Sequence, residues 1–333
     1  MRALPLLVLA FAFSFVAGCA AADTETSVGR DEINGAKSAA KPTPTQYPIV
    51  LAHGFAASPE NQWGYYKVKD ALVRDGNHVV EARVPPFDTP MARAKELAKF
   101  VDDALAETKA EKVNIIAHSM GGLDARVLVS GMGYGDRVAS VTTISSPHHG
   151  TYVADVALKL VPDGPVTDAL NGLAGLYGRT FTDRALAEQT NVRGALEAIS
   201  EAGAESFNAK YPNDPRVHYY SFAGVSAKLG VGDSQDMTAC EGMLDGDTDQ
   251  MSPLLVPLAL IVGHGFGFQK GFRPNDGMTT VESSKWGEFL GCIRADHLDE
   301  VGQIQHDGPD PRTGFDHIAF FRALVSTMGE HGY

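Results

Sequence analysis

The sequence predicts an α/β fold with a mostly parallel central sheet, and two features of the chain carry this prediction. From about residue 47 onward, apolar runs of strand length alternate with helical runs, a pattern typical of parallel strand pairing. One of the apolar runs, Val113 to Ala117, ends at a serine framed by small residues, where a strand turns sharply into a helix. In a parallel sheet the working loops follow the carboxyl ends of the strands, so we expect the functional residues there.

The elements are predicted from hydrophobic spacing and from the glycine and proline residues that end them. Before the serine we expect a strand at 47–52, a helix at 63–74, a strand at 78–84 and a helix at 91–108. After the serine we expect a helix at 123–129, a strand at 138–144, helical pieces at 153–160, 166–177 and 185–202, a strand at 217–224, an apolar stretch at 289–293 and a closing helix at 315–328.

The turn at Ser119 has the pattern of a nucleophile elbow. A sharp strand-to-helix turn strains the residue at its tip and tolerates only small residues two positions to either side, which Ala117 and Gly121 provide. The pattern is that of an α/β-hydrolase, with alanine in place of the usual first glycine. The alternative is an ordinary joint whose serine only caps the following helix.

The N-terminal region predicts export. Residues 1–18 contain one basic residue, Arg2, followed by an apolar run too short to span a bilayer, which is typical of a signal peptide. The run ends in Val-Ala-Gly before Cys19, similar to a bacterial lipobox, so Cys19 is a candidate lipidation site. Cleavage after residue 22, releasing an unanchored protein, is the alternative. Residues 19–46 predict a flexible linker, and 47–333 a single catalytic domain.

Net charge and cysteine usage restrict the partners and the compartment. The formal charge of −13 argues against nucleic acid and against adsorption to anionic lipid, and it favours neutral substrates. A membrane is expected as a partner only through an anchor at Cys19. The two remaining cysteines, Cys240 and Cys292, form an even pair in an exported protein, which predicts one disulfide; two buried thiols are the alternative.

A serine nucleophile needs a histidine base and an acid, which follow the serine along the chain in this fold. Among the histidines at 218, 264, 297, 306, 317 and 331, His297 is favoured because it stands in a loop after an apolar stretch. Upstream of it, Asp276 lies in a tight Asn-Asp-Gly turn before another β-like run and is the candidate acid, although turn chemistry alone would explain that tripeptide.

The loop after the first strand predicts half of an oxyanion hole. Here Gly54 lets the backbone approach the substrate, so the backbone N–H of Phe55 is one candidate donor and that of Met120, after the nucleophile, is the other. His53 is expected to brace this loop. Residues 151–212 form an apolar helical insertion past a neighbouring loop and predict a lid over an apolar pocket, with helices packed on the sheet as the alternative.

Six stretches in chain order resemble the family I triacylglycerol lipases, the secreted true lipases of Gram-negative bacteria. They are Tyr47 to Gly54, Val113 to Gly122, Ser146 to Gly150, Phe207 to Pro212, Asn275 to Gly277, and His297 to Val301. The resemblance implies an α/β-hydrolase fold with Ser119, Asp276 and His297 as the catalytic triad. It implies acylglycerol or another lipid ester as substrate, no organic cofactor, and leaves open the need for a lipase-specific folding chaperone.

The resemblance also implies a structural calcium that ties the histidine loop to an earlier loop. Its ligands would be Asp245, Asp299 and the backbone carbonyl of Gln303, all hard oxygen donors. Asp247 is a rival ligand, and a solvated acidic loop is the alternative. The family's cysteine after the triad acid is missing here, so Cys292 would take its place.

The sequence thus predicts an exported serine ester hydrolase, and a triacylglycerol lipase acting through an acyl-serine intermediate is the preferred interpretation. A short-chain carboxylesterase or a phospholipase is the nearer alternative. The alternative from another class is a catalytically silent lipoprotein that binds lipid. The expected location is an outer-membrane lipoprotein or a secreted protein.

Overall fold

The computed structural model describes residues 42–59, 64–160, 182–226, 251–264, 273–302 and 315–333, together with Cys240, Pro309 and several residues between 164 and 179. The predicted signal peptide, Cys19 and most of the linker lie outside the described residues. So do Asp245, Asp247 and Gln303 of the predicted calcium site. In the part of the chain that is described, no helix combines the length and apolar character needed to cross a bilayer.

Six parallel strands form one sheet in the order β2-β1-β3-β4-β5-β6. The strands are β1 (Ile49–Ala52), β2 (Val79–Glu81), β3 (Val113–His118), β4 (Val138–Ile144), β5 (His218–Gly224) and β6 (Glu288–Ile293). Of the four central strands, β1, β3 and β4 are buried at every residue, and β1 is apolar throughout, as expected for a parallel strand covered on both faces. The predicted fold class is therefore confirmed.

The described helices connect these strands and cover both faces of the sheet. They are α1 (Val68–Arg74), α2 (Pro90–Thr108), α3 (Gly121–Arg126), α4 (Tyr152–Leu160), α5 (Arg184–Ala187), α6 (Val192–Ile199), α7 (Glu201–Lys210), α8 (Val256–His264), α9 (Val281–Ser284) and α10 (His317–Glu330). A π-helical turn, Val127–Gly131, extends α3, and short 3-10 turns span Tyr134–Asp136 and Asp299–Val301.

The two faces of the sheet carry separate apolar cores. Val50 and Ala52 of β1 face α2 and the end of α3, whereas Ile49 and Leu51 face α1 and α10. This division follows from the period of two along a strand. Both cores leave the carboxyl edge of the sheet free for polar loops.

Two predicted elements differ from the structure. The helical run expected at 185–202 is three helices, because Asn191 and Ser200 adopt non-helical backbone angles and cap the helices that follow them. The β-like run expected after Gly277 is instead the short helix α9, which Thr280 caps by accepting a hydrogen bond from the backbone N–H of Ser283. In both cases side-chain capping overrides the hydrophobic pattern.

A disulfide joins Cys240 and Cys292, which are 52 residues apart in sequence. Both residues are buried in a small apolar cluster with Ala223, Val225 and Val281. Because Cys292 belongs to β6, the bond attaches the segment at 240 to the strand that leads into the histidine loop.

Candidate active site

Ser119 occupies the sharp turn between β3 and α3 in the left-handed backbone region, with φ of 55°. That conformation is uncommon for a residue with a side chain and projects the hydroxyl from the sheet edge. The chain is crowded around it. A Cβ at Gly121 would lie 2.3 Å from the backbone oxygen of Ala52, and one at Gly122 would lie 2.2 Å from Oγ of Ser146. The small residues after the serine are therefore required by packing.

Asp276 is fully buried in its turn, where two backbone N–H groups hold one of its carboxylate oxygens. Its Oδ1 accepts hydrogen bonds from the N–H of Met278 at 2.7 Å and of Thr279 at 2.6 Å. The other oxygen, Oδ2, stays available for a different partner. Gly277, with φ of 100°, supplies the left-handed residue that this turn needs.

His297 lies between the acid and the serine. Its Nδ1 is 2.7 Å from Oδ2 of Asp276, and its Nε2 is 2.9 Å from Oγ of Ser119. The backbone N–H of His297 also donates to the backbone oxygen of Asp276 at 2.9 Å, so the two loops are joined directly. A carboxylate only accepts hydrogen bonds, so Nδ1 carries a proton and Nε2 of the neutral ring can accept from the serine hydroxyl. This geometry suits proton transfer from a nucleophile.

The loop after β1 lies against the serine. A Cβ built on Gly54 would be 2.7 Å from Cβ and 3.2 Å from Oγ of Ser119, so only glycine allows this approach. Phe55 follows in this loop, and Met120 is the residue directly after the serine. The two candidate oxyanion residues are thus on the two segments that flank the hydroxyl.

Three further polar side chains are buried beneath the histidine. Nε2 of His118 lies 3.0 Å from Oε2 of Glu300, and the Ser145 hydroxyl donates to Oε1 of Glu300 at 2.6 Å. The ring of His118 is also 4.5 Å, centroid to centroid, from that of His297. The cluster connects the ends of β3 and β4 to the histidine loop and supports it from below.

Burial shifts the pKa values of the two titratable groups in this cluster. Burial, with the nearby Asp276 carboxylate, holds the pKa of Glu300 well above its usual value. Burial also holds the pKa of His118 well below its usual value, and the neighbouring His297 acts in the same direction. Burial thus disfavours the charged form of both groups.

Two clusters of apolar side chains include residues next to the serine and next to the histidine. From the predicted lid region, α4 and α6 contribute Ala154, Ala195 and Ile199 to a cluster that also contains Met120 and Leu123, with Phe55 packed against it. A second apolar cluster, formed around α8, reaches Met278, two residues after the acid, and Leu298, directly after the histidine. Apolar side chains therefore adjoin the residues next to the serine and next to the histidine.

The comparisons with known proteins agree with this geometry. Residues 47–223 match the family model described as the alpha/beta hydrolase fold. The chain belongs to the α/β-hydrolase family. It is 30% identical to the triacylglycerol lipase of Vibrio cholerae serotype O1, with 79% of this chain and 81% of that protein aligned, and 28% identical to the triacylglycerol lipase of Burkholderia plantarii, covering 86% and 87%. The Staphylococcus hyicus lipase structure covers 88% of this chain and 98% of its own, at 19% identity with a TM-score of 0.61, and shares the fold.

These relatives make this α/β-hydrolase a carboxylic ester hydrolase of the bacterial triacylglycerol lipase group, so the predicted resemblance is confirmed. The catalytic residues proposed from sequence, Ser119, Asp276 and His297, converge at the edge of its sheet. The predicted disulfide between Cys240 and Cys292 is also present. Of the predicted calcium ligands, only Asp299 is among the described residues, and it is 5% exposed at the start of a 3-10 turn.

One group of potential metal ligands occurs within the described part of the hydrolase, formed by His118, His297 and Glu300. Their ligand atoms lie within 4.8 Å of one another. Two imidazole nitrogens do not match the oxygen ligands that calcium prefers. Both nitrogens of His297 are moreover within hydrogen-bonding distance of Asp276 and Ser119, so this group belongs to the hydrogen-bonded site.

Sequence reasoning missed the roles of three buried residues of the hydrolase site. Glu300 stands in the His297 to Val301 stretch and His118 precedes the serine, so the motifs contained both without indicating a role. Nothing in the sequence around Arg93 indicates its role, because an arginine in α2 is typical of the polar face of an amphipathic helix. It is fully buried and bonds to the loop after β1.

Proposed function

We propose that this protein is an exported triacylglycerol lipase in which Ser119 is the nucleophile, His297 the general base and Asp276 the acid that orients the base. The observation that carries the proposal is the continuous hydrogen-bonded path from Asp276 Oδ2 through the imidazole to the Ser119 hydroxyl, at 2.7 and 2.9 Å. A serine hydroxyl becomes a useful nucleophile when a base is placed in this way.

The proposed reaction has two stages. Ser119 Oγ attacks the ester carbonyl carbon while its proton passes to Nε2 of His297, and the N–H groups of Phe55 and Met120 donate to the oxyanion. His297 then returns the proton to the leaving alcohol, which gives the acyl-serine. In the second stage His297 takes a proton from water, the resulting hydroxide attacks the acyl carbon, and the proton returns to Ser119 as the fatty acid leaves.

The nucleophile is tested by Ser119→Ala, which should lower kcat/KM for p-nitrophenyl butyrate by at least about 10⁴-fold. Ser130→Ala is the matched control, since Ser130 donates to the backbone oxygen of Arg126 away from the site, and it should retain activity. A fluorophosphonate probe should label the wild type and the control but not Ser119→Ala. Retained hydrolysis by Ser119→Ala would overturn the assignment, and an unlabelled, inactive wild type would favour the silent lipid-binding alternative.

Long-chain acylglycerol is the proposed substrate, because the apolar cluster from α4 and α6 includes Met120 beside the serine and the cluster around α8 includes Leu298 beside the histidine. We expect emulsified triolein to be cleaved faster than monomeric tributyrin, and p-nitrophenyl palmitate to be accepted. Rates across acyl chain lengths, with and without an emulsion surface, measure this. A steady decline in rate from the butyrate upward would indicate a short-chain carboxylesterase, and preferential release of fatty acid from phosphatidylcholine would indicate a phospholipase.

Export and a structural calcium complete the proposal. Residues 1–18 are proposed to act as a signal peptide, with Cys19 acylated in the mature protein; the intact mass of the mature chain tests this. Calcium is proposed to bind Asp299 together with Asp245 and Gln303, where it would tie the histidine loop to an earlier loop. Support comes from the carboxylate of Asp299, a hard oxygen donor two residues after His297.

A further inference from the structure

The guanidinium of Arg93 is completely buried directly beneath the loop that carries Phe55. It comes from α2 and contacts four oxygens. Nη2 donates to the backbone oxygens of His53 at 2.7 Å and Gly54 at 3.2 Å, Nη1 donates to that of Pro85 at 2.7 Å, and Nε donates to Oδ2 of Asp124 at 2.8 Å. A buried cation is expensive, and three of these four acceptors are neutral carbonyls, so the arrangement needs an explanation beyond ion pairing.

The Gly54 carbonyl has a second partner in the imidazole of His53, whose Nδ1 is 3.0 Å away. Burial and the Arg93 charge lower the pKa of His53 to about 3, so its ring is neutral. A carbonyl only accepts, so Nδ1 carries the single ring proton and donates it to Gly54. Two donors, one from Arg93 and one from His53, therefore fix the direction of this carbonyl.

The direction of the Gly54 carbonyl decides the direction of the Phe55 N–H. The two groups belong to one planar trans peptide and point in opposite directions. With the oxygen held against Arg93, the N–H points to the other side of the loop, and the close approach of Gly54 to Ser119 shows that this loop borders the hydroxyl. A flipped peptide would present the carbonyl oxygen, an acceptor, where an oxyanion needs a donor.

The same guanidinium reaches the second donor segment through Asp124. Asp124 lies on α3, and its N–H donates to the backbone oxygen of Met120 at 3.2 Å in the first turn of that helix. Arg93 therefore contacts both the loop that ends at Phe55 and the helix that begins beside Met120. We propose that Arg93, together with His53, is a positioning residue that orients the Gly54–Phe55 peptide and fixes the spacing of the two oxyanion donors.

This inference rests on the proposed function and is tested by Arg93→Lys. A single ammonium group preserves the charge opposite Asp124, but it cannot reach the Pro85, His53 and Gly54 oxygens from one position. We expect kcat for p-nitrophenyl butyrate to fall about 10- to 100-fold with KM within about twofold. The inhibition constant of an alkylboronic acid, whose tetrahedral serine adduct places an oxygen among the same donors, should rise by the same factor.

Arg126→Lys is the matched control. Arg126 is also buried and bonds to Asn208 and to the backbone oxygen of Tyr211, away from the oxyanion loop. Its replacement should lower the melting temperature and leave both kcat and the boronate inhibition constant near the wild-type values. A general loss of stability therefore does not reproduce the expected result for Arg93→Lys.

His53→Leu is the second variant. If Arg93→Lys does not fold, kcat and the boronate inhibition constant of His53→Leu test the inference instead. It removes only one of the two donors to Gly54, so a smaller but parallel change in kcat and boronate affinity is expected. Wild-type kcat and boronate affinity in a folded Arg93→Lys or His53→Leu protein would overturn the inference. Failure of the proposed function would look different, because fluorophosphonate would then not label Ser119 in the wild type.

Discussion

At the residue scale, the site depends on residues whose backbone conformations cost free energy. Ser119 and Ser145, at the ends of the neighbouring strands β3 and β4, both adopt left-handed backbone angles, with φ of 55° and 48°. Each such residue costs on the order of 1–3 kcal/mol and persists only where the surroundings enforce it. For Ser145 the enforcing contacts are a hydrogen bond from the Gly224 N–H at 2.8 Å and one to Glu300.

Buried histidines should make stability fall in acid, and His148 allows a clean test. Burial, with Arg126 beside it, lowers the pKa of His148 well below the usual 6.5, whereas the unfolded chain binds a proton near that value. Its contribution to stability is thus present above about pH 6.5 and lost as pH falls. His148→Phe should make the decline of the unfolding free energy with pH shallower by about 1.4 kcal/mol per pH unit.

Urea unfolding of the variant and the wild type at pH 7, 6 and 5 measures this difference. The pH slope of the variant must be compared with that of the wild type, because Asp124 and Glu300 change the pH dependence of stability in the opposite direction from His148. Burial raises the pKa of Asp124 to about 7 and that of Glu300 well above its usual value. Equal pH slopes for the two proteins would show that His148 takes up a proton in the folded state.

At the element scale, caps and turns decide where helices form. Ser200 interrupts a run whose residues would otherwise form one helix, because its hydroxyl accepts from the Gly203 N–H at 2.9 Å. Thr280 starts α9 in the same way. The turn around Asp276 needs both its own carboxylate and a glycine with a positive φ. These are interactions between residues a few positions apart, so the local sequence encodes them.

The disulfide is the element-scale feature with the largest expected effect on stability. Closing a loop between residues 52 apart should stabilise the fold by about 4 kcal/mol, relative to an open unfolded chain. Replacing Cys240 and Cys292 together by alanine should lower the unfolding free energy by about that amount, as measured in urea. Reduction of the wild type should have a similar effect, whereas a melting temperature that does not respond to reductant would contradict the prediction.

At the scale of the whole molecule, the sheet edge is where distant segments meet. The loops after β1, β3, β4 and β6 all lie at this edge, since parallel strands place their carboxyl ends together. Arg93 from α2 and Glu300 from the histidine loop hold these loops in place through buried hydrogen bonds, to the backbone oxygen of His53 and to the hydroxyl of Ser145 respectively. The site therefore depends on the packing of the whole domain, and disturbing the histidine loop should lower the stability of that domain.

Calcium removal tests that coupling. If calcium ties the loop at Asp299 to a distant loop, EDTA should lower the melting temperature, because a ligand that binds only the folded state stabilises it by mass action. Activity should fall as the histidine loop loses order, and added Ca²⁺ should restore both properties when Mg²⁺ does not. An unchanged melting temperature in EDTA would count against the calcium site.

The sequence by itself determined what depends on local pattern. The alternation of strands and helices, the elbow at Ser119 and the tight turn at Asp276 follow from hydrophobic spacing and from the conformational preferences of glycine and small residues. The order of serine, acid and histidine along the chain then pointed to His297. These features could be predicted because each is encoded within a few neighbouring residues.

Only the tertiary structure decided which distant groups meet. His297 and Ser119 are 178 residues apart in sequence, yet their side chains come within 2.9 Å. Arg93 resembles a polar helical residue until packing buries it under the oxyanion loop. The physical reason is that burial and hydrogen bonding between remote segments arise from the packing of the whole sheet and its helices, which no short stretch of chain specifies.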